Sequence, residues 1–217
     1  MTEDLLDDKA VSRVRERLLQ WGCANFRSYP WRDETDPWLT LVAEFFLQRT
    51  RASQVEAVFL ECRERFPTPE ALVQAGSTAT AGLTDRLGLH RRGPMLLDIA
   101  RIVLSDGLPQ NMGELVRLPG VGMYTAAAWL SLHRGQRATI VDANVARWLS
   151  RMTGMPYNRD PRHVRWVKEL ADRLTPARVF RNYNYAVLDF TMNICQPRVP
   201  RCQACPLRGV CREGGLI

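Results

Sequence analysis

Lysine is almost missing from this 217-residue chain. Of its 30 basic residues only Lys9 and Lys168 are lysines, so chemistry that needs a lysine amine has two candidates. Long apolar runs are missing as well. None approaches the roughly 18 residues that cross a bilayer. The opening MTEDLLDDKA is acidic and lacks the apolar stretch of a secretory leader. An intracellular chain that meets no membrane is expected, with its six cysteines kept out of disulfides. Alternating apolar and polar residues are scarce, which excludes a β-sandwich or barrel. No internal repeat and no low-complexity linker is found, which excludes a solenoid.

What is present is helical. Hydrophobic residues make up 46% of the chain, enough for one sizeable core or two small lobes. The net charge is +7 although Glu3, Asp4, Asp7 and Asp8 crowd the first eight residues. A basic remainder points to an anionic partner, nucleic acid first. The dominance of arginine is read as genome composition ahead of selection for bidentate phosphate forks. Asp36-Pro37, Thr68-Pro69, Asp160-Pro161 and Thr175-Pro176 each set a capping side chain before a proline suited to the first helical turn. Helices are expected at 8–21, 37–49, 52–66, 69–75, 92–105, 111–117, 123–134, 143–153, 161–173 and 176–193.

The last 23 residues lose this periodicity. Cys195, Cys202, Cys205 and Cys211 follow at intervals of six, two and five, among Arg198, Arg201, Arg208 and Arg212. One short knuckle flanked by longer gaps suits a [4Fe–4S] cluster better than a single zinc ion, which usually takes two separated Cys-x-x-Cys knuckles, or than disulfides. Something other than an apolar core is expected to hold this tail. Cys23 and Cys62 lie in helical segments and read as small buried hydrophobes.

Three further features carry candidate chemistry. Leu118-Pro119-Gly120-Val121-Gly122 joins two helices. It is either a plain turn or a loop of bare amides that holds an anion at a helix N-terminus. Asp142, in Ile140-Val141-Asp142-Ala143-Asn144-Val145, is either an N-cap or an acid held anionic by helix-end amides. Helix 123–134 runs about 18 Å, and seven extended residues can return roughly 23 Å, so Asp142 can come back beside the hairpin and Tyr124. Finally, Thr40, Glu44 and Gln48 recur every four residues on an otherwise apolar helix. That stripe is a cleft wall or a modest solvated face.

LPGVGMYTAAAWL, IVDANV and the four-cysteine tail together resemble the helix-hairpin-helix DNA glycosylases, in the iron–sulfur branch that includes endonuclease III. The resemblance runs from about Tyr29-Pro30-Trp31-Arg32 to Cys211. It implies an all-α, two-lobed fold with nucleic acid across the cleft. Residues 26–136 would form a six-helix barrel with the hairpin, and 1–25 plus 137–217 an iron–sulfur lobe. It implies one [4Fe–4S] cluster on the four cysteines and leaves room for a monovalent cation at the hairpin. The partner would be duplex DNA with a mismatched or damaged base, and the protein a monomer. Asp142 matches the family's catalytic aspartate, which stabilises an oxocarbenium-like sugar or activates water. The target nucleotide first leaves the stack. Gln48 and Leu89 match positions that fill or flank the gap. Leu118, Gly120, Val121 and Gly122 would meet the DNA backbone. Arg32, Arg91 and Arg147 are either contacts to phosphate or the estranged guanine, or, equally, arginines that keep the surface soluble.

Bifunctional members carry a lysine directly after the hairpin; Tyr124 stands there, and neither lysine is near. A Schiff base is therefore not expected, and the resemblance implies a monofunctional glycosylase. Val-Asp-Ala-Asn, Leu87-Gly88-Leu89-His90-Arg91-Arg92 and Leu188-Asp189-Phe190-Thr191 are similar to the thymine–guanine mismatch enzymes, which release thymine or uracil opposite guanine. Adenine glycosylases, acting on A·G or A·8-oxoG, share Glu44, which in them helps protonate the leaving adenine, and Gln48, but carry a further C-terminal domain. The alternative from another class is a non-catalytic DNA binder that uses the cluster as a redox sensor.

Overall fold

The structure, a computed structural model, describes residues 5–157 and 164–216. All regular structure among them is helical. No described helix is long and apolar enough to cross a membrane. The chain divides into two compact units, Met1–Arg27 with Gly135–Ile217, and Ser28–Arg134.

The discontinuous unit contains α1 (Asp8–Asn25), and later α8 (Ala143–Thr153), α9 (Arg165–Leu174) and α10 (Phe180–Asn193). Their apolar faces meet in a core that includes Val14, Leu18, Trp148, Leu149, Leu170 and Phe190. Trp21 and Trp148 both set an edge against Phe190, at 5.8 and 5.9 Å between centroids. Each such aromatic pair contributes about 0.5–1.5 kcal/mol beyond its buried area. α8 ends on Gly154 at φ 73°, where a Cβ would lie 2.7 Å from Arg212 Cδ. Two constraints coincide there: a left-handed backbone and a close approach by the tail.

The continuous unit contains α2 (Pro37–Phe46), α3 (Ala52–Arg65), α4 (Pro69–Asp85), α5 (Gly93–Asp106), α6 (Met112–Leu115) and α7 (Met123–His133). Asp36 accepts from the amides of Trp38 and Leu39, and Thr68 from that of Ala71, so both Asx/Thr-Pro starts act as expected. Phe45, Phe46, Phe59, Leu96, Ile99 and Trp129 are fully buried, each contributing about 2–3 kcal/mol by removal from water.

Several expectations are corrected. α4 kinks at Gly76 and continues to Asp85 instead of stopping at 75. Its second half is rich in small polar residues. Buried Thr80 and Thr84 satisfy their hydroxyls on the carbonyls of Ser77 and Thr80, which lets them pack inward. Thr175 starts no helix: its hydroxyl and amide both bond to the Ala171 carbonyl and close α9. α10 begins only at Phe180, after Val179 at φ 54°. α2 stops at Phe46, which leaves Gln48 in the following turn. α6 is one turn, shorter than 111–117. Cys62 is buried but Cys23 is exposed. The Asp160-Pro161 start lies outside the described residues.

Candidate functional site

The stripe on α2 is neither a solvated face nor bare. Every residue of Trp38–Phe46 is buried, Thr40 and Glu44 included. The Thr40 hydroxyl accepts from Trp129 Nε1 at 3.1 Å. One turn on, Glu44 Oε1 lies 3.0 Å from His133 Nε2, and both side chains are buried. Trp129 and His133 are also four apart, so two rungs join α2 to α7 at matching helical steps. The third position, Gln48, accepts through Oε1 from Arg92, while its Nε2 is buried without a hydrogen-bond partner. The Arg92 guanidinium lies 5.6 Å over the Phe45 ring. Burial, and then the nearby Arg49 charge, lower its pKa from the ordinary arginine value.

The hairpin between α6 and α7 is a tight turn closed by the Val121 amide on the Leu118 carbonyl, at 3.1 Å. Leu118 and Val121 point inward and are buried. Gly120 sits at φ 73°. A Cβ there would meet Met95 Sδ at 2.9 Å and Phe45 Cε2 at 3.3 Å. Gly122 differs: its φ is −97°, and a Cβ there would meet nothing within 4 Å. It is the N-cap of α7 and exposed, so its missing side chain bares the helix start. Tyr124, half-buried, stands in the first turn that follows. Leu89, half-buried, follows Gly88 (φ 70°), its amide bonded to the Thr84 carbonyl at 2.9 Å.

In the other unit Asp142 is the N-cap of α8. Its Oδ1 accepts from the Val145 amide and its Oδ2 from Asn144 Nδ2, both at 2.8 Å. Both oxygens are thus oriented by neighbours in the chain. Arg147, one turn along, is turned toward the tail: Nε and one terminal nitrogen donate to the Cys195 carbonyl, and that nitrogen also to Thr191. Its remaining nitrogen donates to Asn144 Oδ1. Burial lowers its pKa from the ordinary value.

Cys195, Cys202, Cys205 and Cys211 line one cavity of about 370 Å³, a volume that includes the space open at its mouth. Burial raises the pKa of Cys195, Cys205 and Cys211, that of Cys205 to about 11, and neighbouring cysteines push Cys205 the same way. Among the described residues no three His, Cys, Asp or Glu side chains converge on a single-ion site. The expectation that something other than an apolar core holds this segment is corrected: Cys195 and Leu207 are buried in the core, and Cys205, Val210 and Cys211 pack against it. Arginines hold it as well. Arg151 donates to the carbonyls of Gln196 and Pro197 and approaches Cys195 Sγ at 3.7 Å; Arg17 donates to the Pro206 carbonyl. Arg212 and Glu213 give their amides to the carbonyls of Met152 and Arg151. Arg151, Arg92 and His133 were not singled out in the sequence. The i, i+4 spacing of Trp129 and His133, matching Thr40 and Glu44, was the available signal for His133.

Residues 42–173 match the model of a family described as HhH-GPD superfamily base excision DNA repair protein. A thymine/uracil-DNA glycosylase from Methanothermobacter thermautotrophicus is 33% identical over 213 residues, covering 96% of both chains. A thymine-DNA glycosylase from Aeropyrum pernix is 33% identical, covering 95% of this chain and 96% of its own. An adenine DNA glycosylase of Mycobacterium tuberculosis is also 33% identical, over 88% of this chain and 64% of its own. Among solved structures, a thermostable thymine-DNA glycosylase superposes with a TM-score of 0.89 at 31% identity, covering 97% of this chain and 99% of the other.

Proposed function

From the premise that this chain belongs to the HhH-GPD superfamily of base excision DNA repair proteins, we propose that it is a DNA glycosylase that hydrolyses the N-glycosidic bond of thymine or uracil opposite guanine. The observation that carries this reading is the 33% identity to a thymine/uracil-DNA glycosylase along 96% of both chains. The substrate is duplex DNA with the target base flipped out, since the bond is inaccessible inside the stack.

Asp142 is the catalytic carboxylate. As the sugar–base bond breaks, positive charge grows on the sugar, and a fixed anion stabilises it or takes a proton from the attacking water. Its two anchored oxygens reduce the reorganisation this requires. Glu44 and Tyr124 act on the departing base. With Tyr124 where bifunctional relatives carry lysine, and Lys9 and Lys168 the only lysines, base loss leaves an abasic site with the strand intact. Gln48 and Leu89 enter the gap left by the base; the bare amides at Gly120 and Gly122, with Leu118 and Val121 packed beneath, meet phosphate. Arg147 positions Cys195 and is withdrawn from the DNA contacts, because its nitrogens already donate to carbonyls and to Asn144. The protein acts as a monomer.

Cys195, Cys202, Cys205 and Cys211 hold one [4Fe–4S] cluster. Support comes from the donor set: four thiols line one cavity, where burial and neighbouring cysteines oppose thiolate formation at Cys205. When bound, the iron supplies the positive charge that makes four thiolates tolerable and crosslinks the tail. A brown visible band with stoichiometric iron and sulfide is expected; a colourless protein with stoichiometric zinc refutes it.

The test is single-turnover base release from T·G, U·G, A·G and A·8-oxoG duplexes, with strand breaks read before and after alkali. Release from T·G and U·G, visible only after alkali, is expected. Release from the adenine pairs alone would make the protein an adenine glycosylase, a reading that Gln48 favours. Silence on all four would favour the non-catalytic redox sensor.

A further inference from the structure

Glu44 has a built-in partner that its proposed role does not use. His133 closes α7, and its Nε2 lies 3.0 Å from Glu44 Oε1, with 2% and 6% of the two side chains exposed. The ring has little freedom. Trp129, one turn earlier, is fully buried and tied to Thr40 Oγ1 and the Pro37 carbonyl. That rung fixes the register of α7 on α2 and so presents His133 to Glu44.

The other ring nitrogen bears on the direction of the bond. His133 Nδ1 is buried and has no hydrogen-bond partner. If Glu44 donated to Nε2, the ring proton would sit on Nδ1 as a buried N–H with no acceptor, an arrangement that folded proteins rarely tolerate. With the proton on Nε2, the ring donates and Glu44 accepts. Oε1 is thereby committed as an acceptor, which leaves Oε2 for the base.

We propose that His133 is a positioning residue: by donating to Oε1 it fixes the Glu44 carboxyl so that Oε2 is the oxygen presented to the departing base. This inference rests on the proposed role of Glu44 in base release.

Two variants separate hydrogen bonding from space filling. His133→Leu removes the donor, and His133→Gln returns an N–H near the Nε2 position. His133→Leu is expected to lower the single-turnover rate on T·G by about tenfold or more, with duplex affinity unchanged. His133→Gln is expected to recover most of that rate. An unaltered rate in a folded His133→Leu protein overturns the proposal. So does a His133→Gln protein as slow as His133→Leu, because the ring then acts only by its bulk.

The second measurement needs no activity. Nitrogen-15 spectra of histidine-labelled protein report which ring nitrogen carries the proton. The chain has three histidines, and the His133→Gln spectrum identifies the signal. A proton on Nε2 supports the proposal, with or without a second one on Nδ1, and a ring protonated on Nδ1 alone overturns it. Wild-type silence on both T·G and U·G overturns the proposed activity instead, and the tautomer still decides whether His133 donates.

Discussion

Glu44 and Cys195 are both buried and both chemically capable, yet they are held by different means. Along the polar stripe that begins on α2, in the unit Ser28–Arg134, side chains pair with other side chains: Thr40 with Trp129, Glu44 with His133, Gln48 with Arg92. In the other unit they are anchored largely through main chain. Asp142 takes the Val145 amide, and Arg147 and Arg151 grip the carbonyls of Cys195, Gln196 and Pro197. A side-chain pair needs two specified residues distant in sequence. A grip on carbonyls needs one, because every residue offers a carbonyl. The first arrangement gives a rigid, selective wall. The second can organise a segment with little apolar content.

The sharpest break in that comparison is Asp142→Asn. Asparagine caps a helix about as well as aspartate, so the main-chain anchor survives while the charge goes. Base release is expected to fall by about a thousandfold, with thermal stability and duplex affinity near wild type. Full activity in single-turnover assays would remove Asp142 from the mechanism.

Arg151→Met tests the grip on the tail. It deletes donors to two carbonyls and the ion pair with Glu213 at 3.3 Å. Stability should fall by about 2–4 kcal/mol, a drop in Tm of about 5–10 °C, and the proposed cluster should lose iron to chelators faster. Unchanged melting and iron retention would mean that the proposed cluster and the apolar anchors hold the tail without it.

Gly120→Ala probes the hairpin's packing against the wall. The backbone is left-handed, and the new methyl would meet Met95 and Phe45, so a cost of about 1–3 kcal/mol is expected. Gly122→Ala has room and should lower duplex affinity with less effect on melting. Equal melting losses would contradict the difference between these two glycines.

The smallest effect is the most diagnostic of side-chain pairing. A Thr40→Val, Trp129→Phe double-mutant cycle should give a coupling of about 0.5–1.5 kcal/mol. No coupling would show that Trp129 relies on the Pro37 carbonyl alone.

Local signals were legible in the sequence. Asp36-Pro37 and Thr68-Pro69 start helices because the cap and the amides it serves lie within three residues. The spacing of Thr40, Glu44 and Gln48 marked a polar stripe, and the cysteine intervals marked a shared cavity. Thr175-Pro176 carried the same local pattern but closes the previous helix, since the Thr175 hydroxyl has a carbonyl one turn back. The second half of α4 gave no apolar rhythm because buried threonines do the packing. The partners of the stripe were harder to read for a different reason. Their one signal is the shared spacing of Trp129 and His133, and pairing 89 positions apart is decided by how α2 and α7 meet. The bonds of Arg147 to the Cys195 and Thr191 carbonyls were illegible because an arginine's sequence neighbours do not reveal which way its long side chain turns.

The left-handed stop at Gly154 has a reach beyond its own helix. The carbonyls of Arg151 and Met152 are free to accept from the tail only because α8 ends there and asks nothing further of them. The tail's docking strip is therefore the end of a helix, and a change that moves that end moves the strip. A single glycine some forty residues upstream of the first cysteine thus sets where the segment beyond Cys211 comes to rest.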